Sequence, residues 1–499
     1  MEKYAHIFDT RRLNTDLKKR SLRSGAVTLG SQALMFIIQL GSTMILARIL
    51  SPQDYGINAM AMTITGFAGM FSSFGLSTAT VQRSDITHEQ VSTLFWINVL
   101  IGFLITLFTA VISPAAAWFY KTPELLWVML TLSLIFVITG MGVQHQALLT
   151  RQMRFFSIVI INVISTLAGV VVAIITGYYG FGYWALVFNL LTFVSLNTIG
   201  YWYFCKWIPG LPRRHSGVGA MIRFGSSLVG SNVVNYFPRH LDNVLIGRSH
   251  GSDALGLYSK AYQLLMMPIT NLRNPLTRVA IPSLSRLQDN PEQYRDYFLK
   301  CVSLLAFISM PLVTFMFVFS DQLISLLLGT QWIGASEIFK ILALAAFIQP
   351  VASTSEMVLV SSGQGRLFLV LSVATAVVTC LSFAIGLPWG PKGVALAYAL
   401  ANYLLFFPIF YYTFKNTAIT LGHMAGAVYK PVFSSLLMGG TCVVLVVPFM
   451  DDLNNLFWLP AGLFLSAAAY LVSFAVFPGG LDELRESWAY GKLVFERNK

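Results

Sequence analysis

Fourteen apolar runs, each long enough to cross a lipid bilayer as a helix, follow one another along the 499 residues, and no stretch between them exceeds about twenty residues. They fall near 25–49, 55–81, 91–119, 125–149, 155–177, 183–205, 217–247, 254–282, 297–319, 334–361, 367–386, 393–414, 431–449 and 456–477. Inside hydrocarbon every backbone N–H and C=O must find a partner, and a helix supplies all of them within its own segment. The expected fold is therefore all-α: a polytopic membrane protein of about 14 transmembrane helices. With 56% hydrophobic and 11% charged residues, no room remains for a soluble catalytic domain.

The formal charge of +12 is distributed by topology. Loops of one set carry 22 Lys and Arg, seven of them within residues 1–24, whereas the opposite set carries Lys121, Arg248 and Lys392. Positively charged loops stay in the cytoplasm, so both termini are expected there, and the excess needs no nucleic-acid partner. The basic segment 1–24 also suits contact with anionic lipid, and the apolar run after it is too long for a signal-peptide core. Cys205, Cys301, Cys380 and Cys442 form no close pair and read as small core residues.

Laid on itself at an offset of 200, the chain repeats. Ile45–Ile57 aligns with Leu245–Leu257, pairing Arg48 with Arg248 and Gly56 with Gly256. Each copy closes the first helical hairpin of a six-span block. This divides the chain into the basic segment 1–24, an N-lobe at 25–206, a C-lobe at 217–414, two further spans within 429–477 and a cytoplasmic tail at 478–499. An even number of spans per block makes the lobes parallel, related by a pseudo-twofold axis along the membrane normal.

No Gly-x4-Gly-Lys-Ser/Thr loop, metal-ligand cluster or cofactor motif stands out, so neither an enzyme nor a nucleotide-driven pump is indicated. Ionisable residues inside the spans are the informative ones, because each is costly unless paired or facing water. They concentrate in the second block: Arg223, Arg239 and Asp242 in its first helix, Lys260, Arg273 and Arg278 in its second. Arg239 and Asp242 are three apart, just after Pro238, which should kink the helix. Asp242 and Lys260 lie equally far from the turn and suit either a structural ion pair or a coupling pair. The surplus arginines then point to an anion, most naturally a phosphate held by guanidinium forks, with snorkelling the alternative for Arg278. Glu356 is either a coupling carboxylate or a group in cytoplasm-facing water. His145 and His240 carry no catalytic role. Trp118, Tyr120, Trp184, Trp207, Trp332, Trp389 and Trp458 read as interfacial anchors, with sugar contact as the other reading for some.

The stretches 46–56, 82–88, 93–98, 242–248, 255–262 and 277–288 resemble the polysaccharide transporters, or Wzx-type flippases, of the multidrug/oligosaccharidyl-lipid/polysaccharide exporter superfamily, nearest its colanic-acid-exporter branch. The resemblance implies two pseudo-symmetric six-helix lobes in a V plus two C-terminal helices. It also implies a cargo: an undecaprenyl diphosphate-linked oligosaccharide repeat unit, moved across the bacterial inner membrane by alternating access for exopolysaccharide, O-antigen or capsule synthesis. Membrane lipids and the polysaccharide polymerase and export machinery are the implied partners. By similarity to lipid II flippases, the last two spans would border a groove for the prenyl tail. Two other functions suit the sequence less well. A drug/cation antiporter of the same superfamily would want an acidic cavity, and a membrane glycosyltransferase, polymerase or ligase would need large extracytoplasmic loops.

Overall fold

The computed structural model describes residues 8, 17–72, 75–83, 85–213, 217–415, 417–449 and 455–485, with the side chains of 17–29, 220, 222–235, 449 and 455–458 outside that description. Most of the basic segment 1–24, the tail beyond 485, and the side chains of Arg223 and Trp458 therefore lie outside the described residues. Among the described residues the secondary structure is helical, with no strand. The helices are α1 (Leu17–Ile49), α2 (Pro52–Gly69), α3 (Leu76–Gln82), α4 (His88–Tyr120), α5 (Glu124–Arg151), α6 (Phe155–Tyr178), α7 (Trp184–Cys205) and α8 (Gly219–Arg286). They continue with α9 (Pro291–Val318), α10 (Ser320–Leu328), α11 (Gly334–Ala352), α12 (Thr354–Ser361), α13 (Gly365–Gly386), α14 (Gly390–Phe414), α15 (Leu421–Leu445) and α16 (Asn455–Val476).

Ten stretches among the described residues are long and apolar enough to cross a membrane, and one of them, Gly365–Phe414, contains both α13 and α14. The other three expected spans correspond to α2 and to the two arms of α8, which are too polar to meet the same measure. Together these account for fourteen, and the chain is a multi-span membrane protein. Its surface agrees: Leu104, Phe108 and Val111 on α4, and Leu400, Leu404 and Phe407 on α14, are each more than half exposed. An apolar surface of that extent belongs against lipid.

The chain divides into two compact units, residues 1–256 and 257–499. In the first, α4 packs on α5, α6 on α7, α5 on α7 and α1 on α6, with α2 and α3 against α5. In the second, α9 packs on α11 and α15, α14 on α11 and α13, and α16 on α15. The core of this unit gathers Leu284, Phe298, Met310, Val351, Phe410 and Phe414.

Several boundaries differ from the hydropathy reading for local reasons. The second apolar run ends early, at Gly69, and helix resumes as α3 after Gly75, whose φ of 60° is left-handed. The penultimate span starts ten residues sooner than expected, at Leu421, because Thr420 and His423 cap each other reciprocally. This places Lys430, which reads as a loop residue, inside a helix and buried, where its Nζ donates to Glu483 Oε1 at 2.6 Å. Removing Glu483 strands a nearly buried ammonium, so Glu483→Ala is expected to cost about 1–2 kcal/mol, with Lys430→Met in the same chain restoring most of it. Thermal unfolding of the purified variants in detergent checks this; equal loss in the single and double variants would contradict it.

Tyr120, Trp207 and Trp332, expected at the interface, are instead core residues no more than 3% exposed, whereas Trp118 and Trp389 are largely exposed. Trp207 is drawn inward because its Nε1 donates to His88 Nδ1 at 3.1 Å and its carbonyl meets buried His145 Nε2 at 3.1 Å. The segment after α7 is thereby clasped to the start of α4. Gly210 N–H donates to Ser92 Oγ at 2.9 Å, Trp96 Nε1 to the Gly210 carbonyl at 2.9 Å, and Arg213 pairs with Glu89.

On α10, outside the candidate spans, burial alone would raise the Asp321 carboxyl. Hydrogen bonds from Lys340, at 2.5 Å, and from Ser336, with the Lys340 charge, outweigh burial and hold its pKa below the ordinary value. A carboxyl lowered on folding contributes stability above its unfolded pKa and loses it as pH falls through the folded one. Stability of the native protein is thus expected to fall below about pH 4, and to fall less steeply in Asp321→Asn. Unfolding midpoints measured between pH 3 and 6 decide it, and parallel curves would contradict it.

Candidate functional site

The polar helix α8 carries the candidate side chains, and each unit holds part of it. Backbone angles remain helical through Pro238, and the break falls at Gly251, with φ 82° and ψ −176°. In the first unit Tyr236 anchors the helix, its hydroxyl donating to the Thr63 carbonyl at 2.7 Å. The His240 ring stacks on Tyr236 at 4.1 Å, and Phe67 contacts both Tyr236 and Phe237. One turn on, Asp242 is buried, with Oδ1 accepting the Asn243 N–H at 2.8 Å, while Arg239 is exposed. Among the described residues no carboxylate lies within ion-pair distance of Arg239.

The repeated motif meets itself. Gly56 is so close to the backbone of Ser252 that a Cβ there would lie 1.7 Å from its carbonyl oxygen. Gly256 stands in the same relation to Pro52, at 1.8 Å. Since 52 and 252, like 56 and 256, are counterparts at the 200-residue offset, the contact is reciprocal, the geometry of a local twofold. Arg48 and Arg248, the other repeated pair, are exposed, and the Arg248 guanidinium lies 5.6 Å over the Phe119 ring.

In the second unit Lys260 is buried and its Nζ donates to Gln263 Oε1 at 3.2 Å. Arg273 is half-buried and Arg278 exposed. At about 100° per residue the two differ by about 140° around the helix, so they do not share a face. Glu356 is exposed on the short helix α12. The unit also contains a polar cluster that no local sequence pattern announces. Gln349 Nε2 donates to Tyr398 Oη at 2.5 Å and to Asn402 Oδ1 at 3.4 Å, with Tyr262 and Phe383 against the Tyr398 ring. Its members come from four helices, and only Tyr398 and Asn402 have the four-residue spacing that sequence alone would pair.

Comparison with known proteins then places the chain. Residues 45–337 match the polysaccharide biosynthesis protein family. The chain belongs to that family. It is 29% identical to the teichuronic acid biosynthesis protein TuaB of Bacillus subtilis over 351 residues, 70% of this chain and 73% of that one. It is 27% identical to the lipopolysaccharide biosynthesis protein WzxC of Escherichia coli over 329 residues, 64% of this chain and 66% of that one. Its fold is that of the lipid II flippase MurJ in an inward closed conformation, with a TM-score of 0.73 at 14% identity over 91% of this chain and 98% of that one. A polysaccharide biosynthesis family is thus joined here to the fold of a solved membrane flippase.

Proposed function

We infer that the chain is a flippase for lipid-linked oligosaccharides, serving assembly of a bacterial surface polysaccharide. Family membership across residues 45–337 carries this reading, supported by a MurJ-like fold along nearly the whole chain. In the finer reading the cargo is a repeat unit on undecaprenyl diphosphate, carried from the cytoplasmic to the outer leaflet of the inner membrane by alternating access, with both termini cytoplasmic. The two six-span blocks of the repeat are the moving halves. Arg239, Arg273, Arg278 and Arg223 serve the diphosphate, Asp242 and Lys260 form a structural or coupling pair, and Glu356 is the carboxylate available to a coupling ion. Polysaccharide polymerase and export machinery would take up the product.

What supports the phosphate assignment is the cationic character of α8 and the lack of a carboxylate partner for Arg239 or Arg273 among the described residues. Fork-shaped guanidinium groups match phosphate oxygens in pairs. A drug or organic cation would be repelled by the same helix. The membrane potential is a sufficient drive: each negative charge moved outward gains roughly 2.3 kcal/mol per 100 mV, and a dianionic head about twice that. Deletion of the gene, followed by leaflet-resolved mass spectrometry of lipid-linked glycans, tests the function. A complete repeat unit accumulating on the cytoplasmic face is the expected result, and an unchanged lipid-linked pool would overturn it.

A further inference from the structure

The turn between α4 and α5 holds a groove of about 540 Å³ within the first unit, lined by Pro114, Trp118, Lys121, Pro123, Leu126 and Arg248. Apart from its two cations the lining is apolar. Among the described residues no carboxylate lies within ion-pair distance of Lys121 or Arg248. Only three cations lie in the loops of this side of the protein by the sequence count, and the third, Lys392, is paired with Glu337. Both unpaired ones thus converge on one apolar groove, with Arg248 held over the Phe119 ring.

The groove opens toward lipid. Leu100, Leu104, Leu107, Val111 and Trp118 are each more than half exposed. At about 100° per residue they fall within an arc of about 60°. Trp118 therefore ends a lipid-facing stripe that runs along α4. That helix has 33 residues, about 50 Å, against a hydrocarbon thickness of about 30 Å, so its ends reach the headgroup layers. Trp127, at the start of α5, is also exposed and suits the same depth.

We propose that this groove is a binding site for an anionic phospholipid, whose phosphate is held between Lys121 and Arg248 while its chains lie along the Trp118 stripe. The phosphodiester of such a lipid carries one negative charge shared by two free oxygens, one for each cation to meet, and the apolar wall continues into the surface that acyl chains cover. A diphosphate-linked cargo shares the phosphate chemistry, but continuity with the outward-facing stripe favours a lipid of the surrounding bilayer. The proposal goes beyond flipping and is tested without a transport assay.

Native mass spectrometry of the full-length protein released from nanodiscs of phosphatidylglycerol and phosphatidylcholine reads the site directly. The wild type should retain phosphatidylglycerol in preference. The double variant Lys121→Asn with Arg248→Gln should lower that preference about tenfold or more, whereas Lys392→Gln should not. Asparagine is chosen because Lys121 sits at φ 55°, ψ 34°, a left-handed conformation asparagine adopts readily. Should the double variant fail to fold, Arg248→Gln alone leaves that turn intact and should still lower the preference. The exchange of Lys121→Arg with Arg248→Lys should keep it. Equal retention of both lipids by the wild type, an undiminished preference in the folded variants, or one-for-one displacement of phosphatidylglycerol by polyprenyl diphosphate would each overturn the proposal.

Discussion

Alanine at Gly56 or Gly256 is expected to destabilise the protein by about 3 kcal/mol, a large cost for one added methyl group. The new Cβ would stand 1.7 Å or 1.8 Å from a carbonyl oxygen of the facing segment, and that neighbour is backbone, which has no rotamer to change. The segments must then separate along their whole contact, giving up dispersion contacts on both sides. Because the two glycines belong to one reciprocal crossing, one separation relieves both clashes, and the double variant should cost clearly less than the sum of the singles. Gly440→Ala is the control, since a Cβ there meets nothing within 4 Å. It should leave stability unchanged or raise it slightly, as alanine is the better helix former. Unfolding midpoints in detergent, read with size-exclusion profiles, distinguish the cases; Gly56→Ala melting with Gly440→Ala would remove the crossing as a determinant of the fold.

That crossing illustrates what the sequence makes legible. Hydropathy reveals the helices because bilayer thickness imposes a length and hydrocarbon imposes a composition. The offset of 200 aligned Gly56 with Gly256, but their mutual contact depends on how the two copies pack, which no one-dimensional pattern contains. The start of α15 escaped detection because a histidine fills the capping position usually held by Glu or Gln, while Lys430 and Pro431 imitate loop composition. Trp207 and Trp332 have the amphipathic chemistry of interfacial residues, yet both are buried. For Trp207 the difference comes from His88 and His145, distant in sequence, which satisfy its polar groups inside the fold. The site is similarly divided. That α8 is the polar helix follows from its charges alone. Gln349, Tyr398 and Asn402 are ordinary residues in apolar runs until the packing of α11 on α14 brings them together.

Transport by Arg273→Ala, and separately by Arg239→Ala, is expected to fall about tenfold or more, with membrane insertion and thermal stability unchanged. A hydrogen bond to a charged group contributes about 1.5–3 kcal/mol, which corresponds to that range when a guanidinium loses its phosphate. Stability should be indifferent because neither side chain has, among the described residues, a carboxylate partner to strand. Lysine at either position retains the charge without the fork, so it should recover part of the rate and not all of it. Arg278→Ala should cost less, since that side chain lies about 140° around the helix from Arg273 and is placed to snorkel. Proteoliposomes loaded with a polyprenyl diphosphate-linked glycan and held at an imposed potential provide the rate. Wild-type transport by both alanine variants would exclude these arginines as the phosphate cradle while leaving the flippase assignment intact, because that assignment rests on the family and not on these side chains. Loss of potential dependence together with loss of rate would instead tie the same residues to the charge being moved.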